Sequence, residues 1–567
     1  MSQILTAQAV QEDIGEVQSS RCGIDEWSRC TVSHSERDVH QVISKQGSTL
    51  GLPLSQMRIK NCDIPWIDPR TWMEFILKKG LWPRLAGAPD NNVAGEIWTQ
   101  FWKTYQKLHP GYQMFGMEDV DFSSTAAFAI HGDEGRTLKK QALMVTSIQS
   151  CLGNGFDEKR VARDRADRKL KVNFVSHSYT HRFVTSVIPK HMYDSDPEIF
   201  HGAMEQLAIS LKDLFETGVV DPTTGKVFRI AFIATKGDAP YLAKMGKFYR
   251  SFNTTVKRGD EKNEPKGVCH RCLAGLTAFP AEEIATTTPR WLSTRGVKPP
   301  WTSLPEVIKY LMFDEADPSS FFQSDIWHTV HLGFGRSWCA SVLTMALEVI
   351  PRPNLDSKWI FLTEKYHHWC RANRRQAHVS NITPHLVSYN DKTGCQGNWH
   401  KGALTTNFCK WIVVLLAELG SDEAGLLRAC SHGTRMLNEI FSTLYRSDVF
   451  LDAQQCSYVS KRGLEFLRIY HMLATQLYQR GRPWMFPLYP KLHGFHEMML
   501  VMKMEGEARE TQTSFNPLVW GCQIDEDQIG RTARLSRRVA ARLQMKRTLD
   551  RYLVNAYTAF RKAGLLQ

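Results

Sequence analysis

Four short apolar runs, separated by charged and turn-forming residues, dominate the chain between residues 126 and 238. They cover residues 126–133, 142–148, 183–188 and 228–238, and they are rich in the β-branched and aromatic residues that favour strands. Between Asp196 and Gly218 apolar positions recur every three or four residues, with Pro197 in the first turn. This punctuation predicts a helix. The pattern therefore predicts three strands, a helix and a fourth strand.

The first and the fourth run both end in Gly-Asp, at Asp133 and Asp238. A glycine before the acid lets the backbone turn sharply, so that the carboxylate projects from the strand end into a cleft. Acids at the ends of the first and fourth strands are the layout of an RNase H-like core, in which these strands are neighbours about 4.8 Å apart. Either dipeptide alone is an ordinary strand-end turn. Together they predict an α/β fold with an RNase H-like mixed sheet.

Changes in polarity and in the spacing of apolar residues divide the rest of the chain into further predicted units. Polar residues without an apolar period open the sequence, aromatic residues at helical spacing follow, and helical periodicity dominates beyond residue 303. In chain order the predicted units are a disordered arm (1–50), a small helical N-terminal module (51–120), the first part of the core (121–260), a CxxC loop (261–302), a long all-α insertion (303–489) and the C-terminal part of the core with a basic helix (490–567).

Cysteines and histidines suggest a structural metal site. Cys269 and Cys272 form a CxxC pair, but structural zinc needs four ligands, and no second pair lies next to them in sequence. Two pairs of histidines are available further along the chain. They are His328 with His331, and His493 with His496. The alternative is packed thiols and histidines bonded to carbonyl groups, so the sequence leaves both zinc and the choice of histidines open.

An acidic cluster, residues 525–527, precedes a run of arginines near the C-terminal end of the sequence. The arginines advance by three or four residues and so would form one stripe on a helix, which suits contact with a phosphate backbone. They are Arg531, Arg534, Arg538 and Arg542. A solvated helix face, with acids favoured by the helix dipole, is the ordinary alternative.

Asp133, Asp238 and Glu526 would together make a triad of acids, although Asp525 and Asp527 are also available as its third member. Carboxylates supply the hard oxygen ligands that Mg²⁺ prefers. Two such ions about 3.5 to 4 Å apart bind the attacking and the leaving oxygen in phosphoryl transfer. The triad therefore predicts metal-dependent chemistry on nucleic acid without a protein nucleophile.

Charge and cysteine usage are consistent with this prediction. The 567 residues include 71 Lys and Arg against 58 Asp and Glu, a net charge of +13, which favours a polyanionic partner or serves solubility alone. Thirteen cysteines, an odd number, occur without an apolar signal segment, which predicts reduced thiols inside a cell. The longest apolar stretch, 411–417, is shorter than the roughly 20 residues that a membrane span needs. No membrane partner is predicted.

Four blocks of the sequence resemble DNA transposases of the Kyakuja-Dileera-Zisupton and Plavaka kind. They are residues 236–242 with the CxxC loop, the Asp-x-x-His-x-x-x-x-Gly block at 325–333, the Pro-Lys-x-His-x-x-His block at 490–496, and Glu526 with the basic segment to 553. The resemblance covers about residues 126–553. It implies a nuclear, cut-and-paste enzyme of the RNase H-like DDE type that acts on double-stranded DNA with Mg²⁺ or Mn²⁺. A further copy of the chain is a candidate partner.

The sequence departs from that family in two places. The block around Asp133 matches it loosely, so Glu134 is an alternative acid, and no N-terminal zinc finger for recognising transposon ends is visible. Two outcomes follow from the resemblance. One is an active transposase that cleaves DNA and transfers strands, and the other is a domesticated, catalytically inactive DNA-binding protein. A nuclease without strand transfer would share the same acids.

Overall fold

The computed structural model describes residues 35–137, 141–155, 170–254, 265–389, 395–420 and 425–566. Most of the predicted arm lies outside these ranges. Within the arm, helix α1 spans Ser35–Lys45. The structure therefore leaves the prediction of disorder for residues 1–34 untested.

A mixed sheet of eight strands forms the centre of the described chain. The strands are β1 (Ser55–Ile59), β2 (Cys62–Trp66), β3 (Thr125–Arg136), β4 (Ala142–Ser150), β5 (Phe183–Pro189), β6 (Val219–Val220), β7 (Val227–Gly237) and β8 (Phe322–Ser324). A small second sheet pairs β9 (Phe450–Asp452) with β10 (Thr513–Phe515). The four strands expected from the apolar runs are confirmed as β3, β4, β5 and β7.

Strand order places the two Gly-Asp segments side by side. The order is β1-β2-β5-β4-β3-β7-β6, and β8 pairs with the end of β7. Strand β4 is antiparallel to both β3 and β5, whereas β7 is parallel to both β3 and β8. The expected adjacency of the first and fourth predicted strands is therefore confirmed.

Helices before and within the sheet follow the predicted punctuation. They are α2 (Pro69–Lys78), α3 (Trp82–Leu85), α4 (Asn91–Leu108), α5 (Lys190–Ser195), α6 (Pro197–Thr217), α7 (Ala239–Met245) and α8 (Glu306–Tyr310). The Asp196 side chain accepts a hydrogen bond from the amide of Glu198 at the start of α6. Gly218, with φ of 65°, ends it, because a left-handed residue cannot continue the helix.

The region predicted as an all-α insertion (303–489) is mostly helical, but the prediction is wrong for two segments, because β8 of the main sheet and β9 lie within it. It contains α9 (Ile326–Thr329), α10 (Gly335–Val349), α11 (Leu355–Ala372), α12 (Pro384–Val387), α13 (Gly402–Leu419), α14 (Leu426–Leu444) and α15 (Ala453–Gln479). The chain then forms α16 (Pro490–Glu507), α17 (Gln523–Leu535) and α18 (Gln544–Lys562). Among the described helices, α13 alone has the length and apolarity of a membrane span, but 56% of it is buried inside the protein, as in an ordinary core helix.

The prediction of a purely helical N-terminal module is wrong. Strands β1 and β2 form a hairpin that extends the main sheet, with Trp66 paired to Ser186 of β5. The following helix packs on the same strand: Trp72 lies 5.1 Å from the Phe183 ring, and its indole donates a hydrogen bond to the Val184 carbonyl. Alternating polar residues hid this hairpin. Its apolar side faces α6, where a Cβ atom on Gly202 would lie 2.7 Å from the Ile59 side chain. The module is thus part of the central fold.

Candidate active site and metal-binding cluster

Asp133 and Asp238 take different positions on their strands. Asp238 follows the last residue of β7 and caps α7, where its carboxylate accepts a 2.8 Å hydrogen bond from the Tyr241 amide. Asp133 does not end its strand, because β3 continues to Arg136 and Asp133 pairs with Val145. The prediction of two strand-end acids is therefore correct for Asp238 and wrong for Asp133.

The glycines before the two acids serve packing and not a sharp turn. A Cβ atom on Gly132 would lie 2.4 Å from the Tyr241 ring, and one on Gly237 would lie 2.5 Å from the same ring. Neither glycine has a positive φ. Tyr241 of α7 thus lies across both strands, and only glycine leaves room for it. The ring fixes the relative positions of the backbones that carry Asp133 and Asp238.

We expect Gly132→Ala to lower the free energy of unfolding by about 1–3 kcal/mol, because the added methyl group overpacks a core contact. Tyr241 is 2% exposed and has no open space in which to move. Urea denaturation measures the effect. Gly116→Ala is the matched control, since a methyl group added there would meet no atom within 4 Å and the φ of Gly116 is not positive. Equal stability of the two variants would show that the Tyr241 ring moves aside at little cost in free energy and would contradict this prediction.

Of the three neighbouring acids at the start of α17, Glu526 is the one that faces Asp133. The two side chains share a hydrogen bond. Asp527 points outward and forms a 2.7 Å ion pair with Arg531 on the same helix. Position on the helix therefore separates the three acids, which the sequence left equivalent.

Asp525 is fully buried and anchors α17 to the sheet. Its carboxylate forms ion pairs with Lys236 Nζ at 2.9 Å and with Arg182 Nε at 3.3 Å. Burial alone would raise the pKa of Asp525, but the charges of Lys236 and Arg182 lower it. Lys236 lies on β7, two positions before Asp238. The ion pairs therefore hold the start of α17 beside the strand that carries the second acid.

A second glycine contact brings α17 close to β3. A Cβ atom on Gly135 would lie 2.5 Å from the Ala533 methyl group and 2.9 Å from Ile529. Successive residues of a strand point to opposite faces, so Gly135 and Asp133 share the face that α17 covers. The absence of a side chain at Gly135 lets the helix that carries Glu526 lie directly on that strand.

Burial and mutual repulsion dominate the electrostatics of the three acids. Burial and the charge of Asp133 raise the pKa of Asp238 to about 6. Burial, the charge of Asp133 and the shared hydrogen bond raise the pKa of Glu526 to about 9. Within the described ranges, no Lys or Arg forms an ion pair with any of the three carboxylates. Crowded carboxylates that no Lys or Arg of the described chain compensates suit a divalent metal ion.

His328 belongs to this acidic site and not to the cysteines. Its Nδ1 lies 2.6 Å from Asp325 Oδ2, and its Nε2 lies 3.4 Å from Glu526 Oε1. Burial lowers the pKa of His328, but the hydrogen bond and charge of Asp325, with the charges of Glu526 and Asp238, raise it to about 9. The sequence analysis missed this role. The signal was Asp325 itself, which lies three residues earlier and caps α9.

His331 lies apart from both the acids and the cysteines. Its ring contacts Phe441 at 4.4 Å. The helix axis is interrupted at Gly333, whose φ and ψ of −114° and −126° are not helical. Asp325 holds His328 toward the acids, and His331, one turn later, points to another part of the fold. The suggestion that His328 and His331 complete a site with the cysteines is therefore wrong.

Cys269, Cys272 and His493 form a buried cluster whose sulfur and nitrogen atoms all lie within 4.8 Å of one another. It is the one group of three or more such side chains this compact in the described chain. Cys272 Sγ lies 3.4 Å from His493 Nε2, and the Cys269 thiol donates to Glu497 Oε2 at 3.5 Å. A hydrogen bond from Cys272 lowers the pKa of Cys269. This donor set could hold a metal ion.

His496 lies one turn further along α16 than His493 but remains outside the cluster. Its Nε2 lies 2.8 Å from the carbonyl oxygen of Thr286. Both imidazoles pack edge-on against Trp291, at 4.4 Å for His493 and 5.4 Å for His496. The structure therefore brings one of the two C-terminal histidines to the cysteines.

A cavity of about 270 Å³ connects the two groups of functional residues. Asp238 and His328 line it together with Cys269 and His493, whereas Asp133 and Glu526 do not line it. Lys491, which also lines it, donates a 2.8 Å hydrogen bond to the His328 carbonyl. Cys269 and His493 of the buried cluster therefore border the cleft that contains the second acid.

Glu134 cannot replace Asp133, because it points to the opposite face of β3. Its carboxylate contacts Lys190 Nζ at 2.7 Å, Lys244 Nζ at 3.4 Å and the Tyr193 hydroxyl at 2.8 Å. Alternation along a strand explains the difference, since adjacent residues face opposite sides. This alternative acid is therefore ruled out by position.

The four arginines do not lie on one helix, so that prediction is wrong. Helix α17 ends at Leu535, Arg538 has a left-handed φ of 60°, and Arg542 lies in a separate turn at Ala541–Leu543. Beyond this end, Arg551 Nη1 of α18 donates to the carbonyls of Leu535 and Arg537. All four arginine side chains are exposed: Arg531, Arg534, Arg538 and Arg542. Contact with DNA stays a prediction.

Comparison with known sequences adds no assignment. The chain matches no protein-family model, and no curated protein matches it significantly.

Proposed function

We propose that this protein is a transposase-like enzyme with an RNase H-like catalytic core, of the Kyakuja-Dileera-Zisupton and Plavaka kind. The observation that carries the proposal is the mutual influence of three acids: Asp133 on β3, Asp238 at the end of the neighbouring parallel strand β7, and Glu526 on α17. Besides burial, the charge of Asp133 raises the pKa of both Asp238 and Glu526. The oxygens of the three carboxylates do not all lie within 4.8 Å of one another, so the acids are less tightly grouped than the cysteine cluster. The strand order β5-β4-β3-β7-β8, antiparallel on one side of β3 and parallel on the other, supports the same core. The resemblance of the four sequence blocks to these transposases supports the proposed family.

In the proposed reaction Asp133, Asp238 and Glu526 hold Mg²⁺ or Mn²⁺. Two such ions, when bound, stabilise the attacking and leaving oxygens of phosphoryl transfer on DNA. The chain supplies geometry: Tyr241 spaces the two strands, and Asp325 orients His328 toward Glu526. In the first step water attacks a phosphodiester bond, whose 3′-oxygen leaves as a 3′-hydroxyl. In the second step that hydroxyl attacks a phosphodiester of another DNA segment, and the 3′-oxygen of that segment leaves.

Double-stranded DNA is the proposed partner, and the nucleus the proposed location. The net charge of +13 supplies attraction to phosphate without sequence choice. The exposed arginines 531, 534, 538 and 542 are proposed phosphate contacts, although they are spread over a helix and the turns after it. A second copy of the chain is proposed as a further partner.

The test is cleavage and joining of plasmid DNA by the full chain with Mg²⁺ or Mn²⁺. We expect metal-dependent nicking, and strand-transfer products, to disappear in Asp238→Asn. The matched control is Asp119→Asn, which removes an exposed acid on the loop before β3, away from the three acids. Nicking that persists in Asp238→Asn would overturn the assignment of this acid.

Other outcomes of the same assay identify the alternatives. Nicking without joined products indicates a nuclease. DNA binding that is unchanged in Asp238→Asn, with no nicking under any divalent ion, indicates a domesticated protein that kept the fold and lost catalysis. Either result overturns the proposal of an active transposase.

We further propose that the buried cluster holds structural Zn²⁺, with Cys269, Cys272 and His493 as three of the four ligands that such a site needs. Two thiols and an imidazole are preferred zinc ligands, and His493 Nδ1 has no hydrogen-bond partner in the described part of the chain. When bound, the ion would fix the CxxC loop to α16 beside the acidic cleft. Its role is structural and not chemical.

Metal analysis of histidine variants tests the zinc proposal. We expect His493→Ala to lose bound zinc and to unfold at lower temperature, because a ligand is removed and structural zinc stabilises the fold. We expect His496→Ala to keep the metal, since its Nε2 is bonded to the Thr286 carbonyl. Zinc retained in His493→Ala, or lost equally in both variants, would contradict this ligand set.

A further inference from the structure

A cavity of about 480 Å³ lies between the helical region and the loop after β4. Helices α13 and α14 form two of its walls, and Asn154 and Gly155 form part of a third. Its size falls in the roughly 300–1,000 Å³ range of small-ligand pockets. It is separate from the cleft that contains Asp238, and neither the acids nor the cysteines of the metal-binding cluster line it.

The inner surface of this cavity suits a flat heteroaromatic group. Val330, Leu437 and Phe441 supply apolar surface. His331 is 5% exposed, lines the same wall, and its Nδ1 has no hydrogen-bond partner among the described residues. A buried imidazole nitrogen without a partner costs free energy unless a ligand bonds to it. The wall therefore offers stacking surface together with a hydrogen-bonding group.

The mouth of the cavity is positively charged. Lys410 of α13 and Arg446, just after α14, both line it and are exposed. Neither forms an ion pair with a described residue, whereas Lys171 on the same rim is paired with Asp448 at 3.0 Å. Two unpaired cations beside an apolar pocket suit a phosphate attached to the group inside.

We propose that this cavity binds one unpaired nucleotide, with the base against Phe441 and His331 and the phosphate at Lys410 and Arg446. The nucleotide comes from either of two sources: a free nucleoside monophosphate, or a base turned out of a DNA duplex. The second source rests on the proposed function. Stacking on an aromatic side chain tolerates every base, so the site selects unpaired nucleotides and not a sequence.

Fluorescence anisotropy without added Mg²⁺ or Mn²⁺ tests the proposal on the full chain. The probes are a labelled duplex with one unpaired adenosine nucleotide, the same duplex fully paired, and dAMP as competitor. We expect the unpaired duplex to bind about 10- to 100-fold more tightly, the size of one stacked base. His331→Phe keeps the ring and removes its nitrogens, and Lys410→Glu reverses a charge at the mouth; both should reduce this preference.

Arg435→Glu is the matched control, because Arg435 is exposed on α14 and does not line the cavity. This variant should lower the affinity for both duplexes equally and leave the ratio of the two affinities unchanged. His331→Asn serves as a second variant if the His331→Phe protein does not fold. Binding of dAMP, measured directly with a labelled copy, together with no preference between the duplexes, would assign the site to a free nucleotide.

Equal affinity for the two duplexes, together with no binding of dAMP, overturns the inference. That result is distinguishable from failure of the proposed function, because the binding assay needs no cleavage. If the protein nicks plasmid DNA but shows no preference for the unpaired duplex, only the proposal of the nucleotide site is overturned. A protein that shows the preference and never nicks keeps the site and loses the catalytic proposal.

Discussion

Asp525→Asn should lower the free energy of unfolding by about 3–5 kcal/mol, because removing one partner leaves buried charges uncompensated. Asp525 is 0% exposed, and the charges left behind are Lys236 at 1% and Arg182 at 2%. The amide replaces the carboxylate without changing its shape, so the loss reports charge and not packing. Urea denaturation of the two proteins at neutral pH measures it.

Asp527→Asn provides the matched comparison for Asp525→Asn. It lies two residues away on the same helix, and its ion pair with Arg531 is exposed. Such a pair contributes about 1 kcal/mol or less. Similar losses in the two variants would mean that the buried ion pairs do not hold α17 in place.

The pH dependence of this effect has a defined sign. The pKa of Asp525 is lowered in the folded state, so its ion pairs stabilise the protein above the unfolded pKa near 3.9 and lose that contribution as pH falls. The stability difference between wild type and Asp525→Asn should therefore be constant near neutral pH. It should shrink below about pH 4.

Glu526→Gln should slow metal-dependent nicking by about 10³-fold or more, since each carboxylate of a two-metal site accounts for several kcal/mol of charge stabilisation. Asp527→Asn should stay within about fivefold of wild type, because an exposed ion pair is worth about 1 kcal/mol or less. Single-turnover rates on a supercoiled plasmid measure both. The two substitutions affect adjacent residues, so a difference between them distinguishes the loss of the third acid from a general effect of changing this part of α17.

A reversed order of effects would place the third acid at Asp527 and overturn the assignment of Glu526. The folded state of each variant is checked by its thermal unfolding. Glu526→Gln should not destabilise the protein, because the raised pKa of about 9 keeps Glu526 uncharged near neutral pH and the glutamine amide can also donate to Asp133. Lost activity with retained stability is the expected combination.

Much of the sheet could be predicted because its strands are long and its punctuation is local. The four apolar runs became β3, β4, β5 and β7, and Asp196 and Gly218 bound α6 as expected. The shorter strands were not found. β8 has three residues, and the pairing that makes it a strand comes from β7, which lies far away in sequence.

The candidate site was harder to predict because its members are sorted by tertiary contacts. Nothing local separates Asp525, Glu526 and Asp527; a buried pair of cations and a nearby carboxylate do so in the folded chain. The arginine spacing continues beyond Leu535, but the helix does not, and Arg551 of α18 donates to its last carbonyl. Spacing alone also could not show that His328 serves the acids.

The anchoring of α17 also determines when the site can exist during synthesis. Lys236 and Asp525 are 289 positions apart, so the ribosome must make the whole helical region before they meet. Until then Lys236 and Arg182 lack their acid, and the first two acids lack the third. Long-range contacts of this kind form late in folding. A nascent chain would therefore hold an incomplete and inactive cleft, and the capacity to cut DNA would arise only as the last helices dock.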